Sequence, residues 1–389
     1  MRNPDLVLVR YDEIGLKSKK VRIRFEQILI KNIKSMLNAD GISYSAISRE
    51  MGRIFIHSDE QDAVNSVTKV FGVVSASPVH TCEPTPASAG ELCAIFAEKI
   101  IREGQSFAIR PRRTGNHGFT SRDIGIACGN AVIEKLNKKV RVDLDNPDVE
   151  IFAEVRQDKG YVFTESVKGV GGLPNGTQGK MIALVSGGID SPVAAWMMMK
   201  RGCEIVPLYL NNEPFSDDTT RERAMKCIEV LQKWSPQRKL TIYEAPHGEN
   251  LLSFLNNCDN RLNCVMCRRM MYRIAGEVMK MEGAHGIITG SSLGQVASQT
   301  SQNMLAEMYG IEYPMYHPLI GLDKLEITDI ARKIGTFEQS TKPATCCMAV
   351  PEYPSTGAKT DEVVKAEKLI NVPLLLESMV KNLKIISNI

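Results

Sequence analysis

The strongest constraint on the fold lies near the middle of the chain. Met181-Ile182-Ala183-Leu184-Val185 is an unbroken apolar run, Ser186-Gly187-Gly188-Ile189-Asp190-Ser191 follows it directly, and Pro192 to Lys200 reads as a helix. A short apolar run closed by a turn fits a strand buried on both faces, as in a parallel sheet. Glycines placed directly after it let backbone N–H groups approach an oxyanion, and the helix N-terminus adds positive potential. Pro192 is tolerated in the first helical turn, where a missing N–H leaves no bond unmade. The three parts make a cradle for phosphate. Two neighbouring segments do not compete with it. Gly179-Lys180-Met181 has the Gly-Lys of a P-loop but lacks the Ser/Thr, has Pro174 where the first glycine belongs, and precedes the strand. Gly169-Val170-Gly171-Gly172 falls short of a dinucleotide fingerprint for similar reasons.

Around this cradle, strands and helices alternate. Met181–Val185, Glu204–Leu210, Leu240–Glu244 and Gly286–Thr289 read as strands. Pro192–Lys200, Thr220–Lys233, Cys267–Gly283 and Leu325–Ile334 read as helices. That rhythm predicts a doubly wound parallel sheet with helices on both faces and ligands at the strand C-termini. The glycine-rich stretch 169–179 reads as a linker. Before it, residues 1–58 read as strand, helix, strand, with Leu6–Arg10 apolar, Phe25–Leu37 at helical spacing and Ile42–Ile56 alternating. Residues 59–168 form a second α/β stretch: helices over Asp62–Val70, Ala87–Arg102 and Ser121–Leu136, and a strand over Ser106–Arg110. Asp148–Arg156 and Tyr161–Ser166 pair around Asp158-Lys159-Gly160. The expected organisation is therefore 1–58, 59–168, linker 169–179 and 180–389.

At 389 residues, 43% hydrophobic and 24% charged, the chain has the composition of a globular protein. Leu6–Val9 is too short for a signal peptide and is closed by Arg10, and nothing approaches the ~18 apolar residues of a membrane span, so a cytoplasmic protein with no membrane partner is expected. Net charge is only +3, but residues 101–141 hold nine basic side chains (102, 110, 112, 113, 122, 135, 138, 139, 141) against three acids (103, 123, 134). Such a surplus suits a phosphate backbone or, more plainly, a solvated surface. Ten cysteines in a chain of this kind argue for reduced thiols, metal or catalysis. Cys82, Cys93, Cys128, Cys203 and Cys227 stand singly and read as small core residues, Cys258 is undecided, and Cys264/Cys267 and Cys346-Cys347 need an explanation. The two-residue gap of Cys264-Val-Met-Cys267 lets both sulfurs face one atom, leaving a redox disulfide, a zinc half-site and a cluster half-site open.

Ser-Gly-Gly-Ile-Asp-Ser resembles the signature of the PP-loop ATP pyrophosphatases. Four segments in order extend the likeness: Val9-Arg-Tyr-Asp-Glu-Ile-Gly-Leu-Lys17; Phe107-Ala-Ile-Arg110-Pro-Arg112-Arg113 with Gly118-Phe-Thr-Ser121; Gly169 to Gly179 with Ser186 to Trp196; and Thr289-Gly290-Ser-Ser-Leu-Gly-Gln-Val-Ala-Ser-Gln299-Thr300. Together they resemble the tRNA 4-thiouridine synthetase (tRNA sulfurtransferase) family, in its short archaeal-type form. The resemblance implies an N-terminal ferredoxin-like domain, a THUMP RNA-binding domain and an adenine nucleotide alpha hydrolase-like catalytic domain. It implies ATP with Mg²⁺, adenylation of uracil O4 at position 8 of tRNA, and displacement of AMP by sulfur. Leu184, Val185, Ser186, Gly187, Gly188, Asp190, Ser191, Tyr209, Leu210, Arg268, Gly290 and Gln299 would form the ATP site, with Asp190 acting through Mg²⁺. Tyr209-Leu210 stand where relatives place His-Phe, and Ser291 where many have an acid. Lys17, Arg110, Arg112, Arg113 and Arg122 are the candidate RNA contacts, and a homodimer is compatible with the family.

The same resemblance gives the cysteines a role. Cys347, with Cys346 beside it, matches the family's catalytic cysteine, Cys347 aligning better. The chain stops about 40 residues beyond it, so no rhodanese domain is expected, and sulfide or a sulfur-donor protein must supply sulfur. Cys264, Cys267 and Cys347 reproduce the set that binds an iron–sulfur cluster in archaeal-type relatives. A persulfide on Cys347, resolved by Cys264 or Cys267, is the competing arrangement. Other readings are a different PP-loop ligase or amidotransferase, a non-catalytic RNA-binding protein, and sulfur transfer to a carrier protein in thiamine synthesis.

Overall fold

The computed structural model describes residues 4–50, 52–137 and 139–386; Lys138 of the basic run lies outside the described residues. Two compact units divide between Gly171 and Gly172. Positive φ at Gly171, Gly172, Gly176 and Gly179 (68°, 82°, 93° and 77°) shows why the connecting stretch is glycine-rich.

The first unit runs β1 (Leu6–Arg10), α1 (Lys19–Ala39), β2 (Ala46–Glu50), β3 (Arg53–His57), α2 (Asp62–Thr68), β4 (Ser75–Cys82), α3 (Pro86–Ile100), β5 (Ser106–Arg113), α4 (Ser121–Lys135), β6 (Arg141–Val142), β7 (Val149–Val155), β8 (Gly160–Phe163) and β9 (Val167–Lys168). One sheet takes the order β2-β3-β1-β4-β8-β7-β5-β6, with β9 also on β4. β4 is its hinge piece. Its first half pairs with β1 (Leu6↔Val79 to Arg10↔Ser75), and its second half pairs with β8 (His80↔Val162). The expected strand over 42–56 is a hairpin, β2–β3. The β7–β8 turn is centred on Gln157-Asp158, one residue earlier than expected, because the Arg156 N–H donates to Lys159 O at 2.9 Å. α4 starts at a capping box in which Thr120 and Asp123 bond each other's backbone.

The second unit runs β10 (Lys180–Leu184), α5 (Asp190–Lys200), β11 (Glu204–Asn211), α6 (Asp218–Lys233), β12 (Ile242–Pro246), α7 (Gly248–Asn257), α8 (Asn263–Glu282), β13 (Ile287–Ile288), α9 (Ser301–Met308), β14 (Met315–Tyr316), α10 (Lys324–Ile334), α11 (Phe337–Ser340), α12 (Thr360–Glu367), α13 (Val372–Lys381) and β15 (Lys384–Ile386). The sheet order is β14-β13-β10-β11-β12-β15. Every pairing is parallel except that of β15, which lies antiparallel on β12. Ile182, Leu184, Val206, Leu208 and Ile287 of the sheet are buried in one core with Val265, Ile274 and Val278 of α8. This is the doubly wound α/β arrangement expected from the alternation. Lys180 is no phosphate ligand here: its ammonium donates to Glu282 at 2.6 Å. No helix among the described residues is long and apolar enough to cross a membrane.

Candidate nucleotide cleft and cysteine cluster

Sheet pairing carries the chain into the glycine loop: the Val185 N–H still donates to Leu208 O at 3.0 Å. Ser191 Oγ then accepts from the Ser186 N–H at 2.8 Å and lies 3.1 Å from Ser186 Oγ, which accepts from the Gly188 N–H at 3.3 Å. Hydroxyls at both ends of the motif brace the turn from within. Two glycines allow close approaches. A Cβ on Gly290 would stand 2.8 Å from the backbone N and Cα of Ser191, so only glycine lets the end of β13 approach the start of α5. On Gly187 it would stand 2.7 Å from Arg223 Nε of α6.

A cleft opens at the C-terminal ends of β10 and β11. Leu184, Val185, Ser186, Gly188, Asp190 and Ser191 line it from the first strand and its loop, Tyr209 and Leu210 from the second. Arg268, Gly290 and Gln299 complete the wall. Gly187 is the exception among the expected nucleotide residues; it turns toward Arg223 instead. Thr289, the first residue of the Thr289–Thr300 segment, lines it too, and Asn212, Thr220, Met271 and Tyr272 also line the cleft without having been expected. Met271 and Tyr272 follow Arg268 by three and four residues, so the helical spacing of α8 could have found them. Asn212 and Thr220 lie on either side of an irregular loop and carry no such signal.

Asp190 has both carboxylate oxygens engaged. Lys324 Nζ donates to Oδ1 at 2.6 Å and Gln295 Nε2 to Oδ2 at 2.9 Å. Lys324 opens α10, whose N-cap Asp323 forms a capping box with Glu326. Sequence reasoning missed this lysine. Mg²⁺ is usually held by one or two carboxylates together with phosphate oxygens; a single Asp190 beside the cradle fits that demand, provided Lys324 yields one oxygen.

Arg268 forms the cleft floor. Its Nε donates to Glu307 Oε2 at 2.7 Å, and Nη2 to Tyr272 OH at 2.7 Å and to Ser291 Oγ at 2.5 Å. Ser291 Oγ is also 2.9 Å from Thr289 Oγ1, which lies 2.6 Å from His317 Nδ1. Glu307 is fully buried, and burial pushes its carboxyl up to about 7 against the pull of Arg268.

α8 begins at Asn263, not at Cys267, because the short 3₁₀ turn Asn260–Leu262 leads directly into it. Cys264 and Cys267 therefore share one helical face. Burial, then the nearby Cys347, raises the Cys264 thiol; burial, then Cys264 and Cys347, raises Cys267. Cys267 Sγ lies 3.2 Å from Nε2 of His247, a wholly buried imidazole whose pKa burial lowers to about 4. Asn250 Nδ2 is 3.0 Å from the other ring nitrogen. Cys347 is half-buried against the same core, whereas Cys346 is exposed. Three thiols in one electrostatic neighbourhood fit the donor chemistry of an iron–sulfur cluster, although no three metal-donor side chains converge among the described residues. Cys93, Cys128, Cys203 and Cys227 are buried and Cys82 is half-buried; Cys258 packs on the core, its thiol 3.6 Å from Ala366 O.

In the first unit, Arg110, Arg112 and Arg122 line one groove between α4 and β5, together with Ile126, Leu144 and Phe152. Arg110 is tied to Glu150 at 2.6 Å and to Leu144 O at 2.9 Å. Arg113 donates to Gly115 O at 3.0 Å and, like Lys17, lies outside the groove.

Comparison with known proteins gives a consistent picture. Family models match residues 6–77 (ThiI ferredoxin-like domain), 91–165 (THUMP domain) and 176–372 (thiamine biosynthesis protein, ThiI). A probable tRNA sulfurtransferase of Methanosarcina acetivorans is 54% identical over 98% of this chain and 94% of its own length. One from Methanobrevibacter smithii is 43% identical over 95% and 96%. The fold superposes on a crystal structure of a 4-thiouridine synthetase–RNA complex with bound ATP, with a TM-score of 0.86, 30% identity and coverage of 98% and 99%.

Proposed function

The chain belongs to the ThiI family and is a tRNA sulfurtransferase, and from that premise we propose that it converts uridine at position 8 of tRNA to 4-thiouridine. The observation that carries the reading is the cleft at the strand ends, lined by eleven of the twelve expected nucleotide residues. A uracil C4 carbonyl loses its oxygen poorly. Attack of O4 on the α-phosphorus of ATP expels pyrophosphate and turns that oxygen into part of AMP. Sulfur then adds at C4, and AMP departs with the oxygen.

In this reading the Ser186–Ser191 loop and the α5 N-terminus hold the phosphates. Leu184, Val185, Tyr209 and Leu210 surround the nucleoside, and Arg268 presents charge from the floor. Lys324 keeps a cation beside Asp190 before nucleotide arrives. Asp190 would hold Mg²⁺ with the phosphate oxygens; when bound, the ion supplies charge neutralisation. Cys264, Cys267 and Cys347 would hold an iron–sulfur cluster, which supplies an iron able to bind hydrosulfide. Sulfide or a sulfur-donor protein is the source, and the cytoplasm, where tRNA is modified, is the place of action. A second arrangement is a persulfide on Cys347, with Cys264 and Cys267 in its electrostatic neighbourhood as resolving thiols. A sulfur-donor protein carrying a persulfide passes its outer sulfur to the Cys347 thiolate and is left as a thiol. The terminal sulfur on Cys347 then attacks C4, and AMP leaves with the oxygen. Cys264 or Cys267 attacks the Cys347 Sγ, forming a disulfide and releasing the thiolated base; two equivalents of an external thiol reduce that disulfide.

The test is mass spectrometry of tRNA nucleosides after incubation with ATP, Mg²⁺ and sulfide. Wild type is expected to form 4-thiouridine, while Asp190→Ala forms neither product nor AMP, and Cys347→Ser forms AMP without 4-thiouridine. Anaerobic purification with iron and sulfide assays separates the two sulfur arrangements: a colourless, iron-free enzyme that forms 4-thiouridine from a persulfide-bearing donor eliminates the cluster.

A further inference from the structure

The loop bearing Cys346 and Cys347 is gripped by one short piece of chain far away in sequence. On its upstream side, Thr345 makes three contacts with the start of α6. Its Oγ1 donates to the Asp217 carboxylate, its N–H donates to Thr219 Oγ1 at 3.4 Å, and its carbonyl accepts from Thr220 Oγ1 at 3.0 Å. On the downstream side, the Met348 N–H donates to Phe215 O at 2.8 Å. Further upstream, Arg223 Nη1 donates to Lys342 O at 2.9 Å. All five partners fall within residues 215–223.

Capping alone does not explain this arrangement. Asp217 is the α6 N-cap and accepts from the Thr219 N–H at 3.1 Å through Oδ1, whereas Oδ2 is the oxygen given to Thr345. Hydrogen bonds from Thr219 and Thr345 hold its carboxyl below the usual carboxylate range. Thr220 also lines the nucleotide cleft, so one residue both borders that space and, through its hydroxyl, bonds the residue next to Cys346. Without the grip, the loop would have little to fix it: Cys346, Met348 and Val350 are exposed, and Ala349 is the buried residue among them, its carbonyl bonded by Asn263.

We propose that residues 215–223 are a clasp that positions the Cys347 loop at the cleft, with Asp217 and Thr220 as its positioning residues, so that sulfur rather than water meets the adenylated base. The proposal rests on the reading of Cys347 as the sulfur-bearing residue. It concerns the second half-reaction only. With the clasp open, adenylation continues, and water releases AMP from the activated base without forming product.

The experiment uses Thr345→Val, which leaves the α6 cap intact, Asp217→Asn, and Thr345→Ser as the conservative control. Two quantities are read in each full-length protein: 4-thiouridine formed per AMP released, and the rate of iodoacetamide labelling at Cys346 and Cys347 by peptide mass spectrometry. For Thr345→Val and Asp217→Asn the product ratio is expected to fall at least tenfold and labelling to rise at least fivefold, with KM for ATP within twofold of wild type. Thr345→Ser should retain the wild-type ratio. An unchanged ratio in Thr345→Val, or equal losses of AMP and 4-thiouridine, overturns the clasp. Cys347→Ser tests the underlying reading separately: if it still thiolates tRNA, that reading fails, whereas the labelling rates report on the loop regardless.

Discussion

Lys324 Nζ stands 2.6 Å from Asp190 Oδ1, joining the first residue of α10 to the first residue of α5. In the proposed reading, a cation already held against Asp190 is preorganised for the charge that builds up as pyrophosphate leaves. Removing one such preorganised group typically costs about 10²–10³ in turnover. Asp190→Asn should therefore lower tRNA-dependent AMP formation by about 10²-fold or more, and Lys324→Met by about 10- to 10²-fold. Because the two act as a unit, the double variant should be no slower than the worse single one. Initial rates of AMP release at saturating tRNA decide it; multiplicative losses would show that the pair is not a functional unit.

Gly290 tests the close approach of β13 to α5. Gly290→Ala places a methyl 2.8 Å from backbone atoms that cannot rotate away. Overpacking of this kind costs about 1–3 kcal/mol, and here it also displaces Ser191 from the loop. Chemical denaturation should show that loss together with weaker ATP binding. A stable variant with normal ATP affinity would mean that the two elements separate easily.

Glu307 gives a pH signature. Its folded carboxyl titrates at about 7, above the ordinary 4.5. Between those values the native state holds a proton that the unfolded chain has released. Stability therefore falls as pH rises through this window and levels off above 7, by up to about 1.4 kcal/mol per pH unit. Glu307→Gln should flatten the curve between pH 5 and 7. Denaturation midpoints across that range measure it, and parallel curves would contradict the assignment.

The groove arginines differ in what they have free. Arg112 and Arg122 make no hydrogen bond or ion pair with a described residue, whereas Arg110 is tied to Glu150. Alanine at Arg112 or Arg122 should weaken tRNA binding at all sequences and reduce the salt slope of log K by about 1 each. Arg110→Ala should change the slope less. Filter binding over a salt series is the measurement.

The parts legible in the sequence were those that follow from short-range rules. The strand–loop–helix at Met181–Ser191 could be read because apolar run, glycines and helix start adjoin one another. The same holds for the Thr289–Thr300 motif. Lys324 was invisible because its meaning comes from a partner 134 residues away, and its own neighbourhood reads only as a helix start. Glu307 looks like any acid on an amphipathic helix until burial beneath Arg268 is seen. The start of α8 was misplaced because no capping side chain marks it. Short elements such as α7 and α12 lie between motifs and lacked a boundary signal.

β15 has a consequence outside the chemistry. Three residues long, with Lys384 and Ile385 facing solvent, it covers the hydrogen-bonding edge of β12. Short, lysine-bearing edge strands discourage sheets of separate molecules from joining. Cutting the chain after α13 would uncover β12, a strand of buried side chains with one unpaired rim. Such a truncated protein would be limited first by self-association in storage, well before any change in its chemistry became measurable.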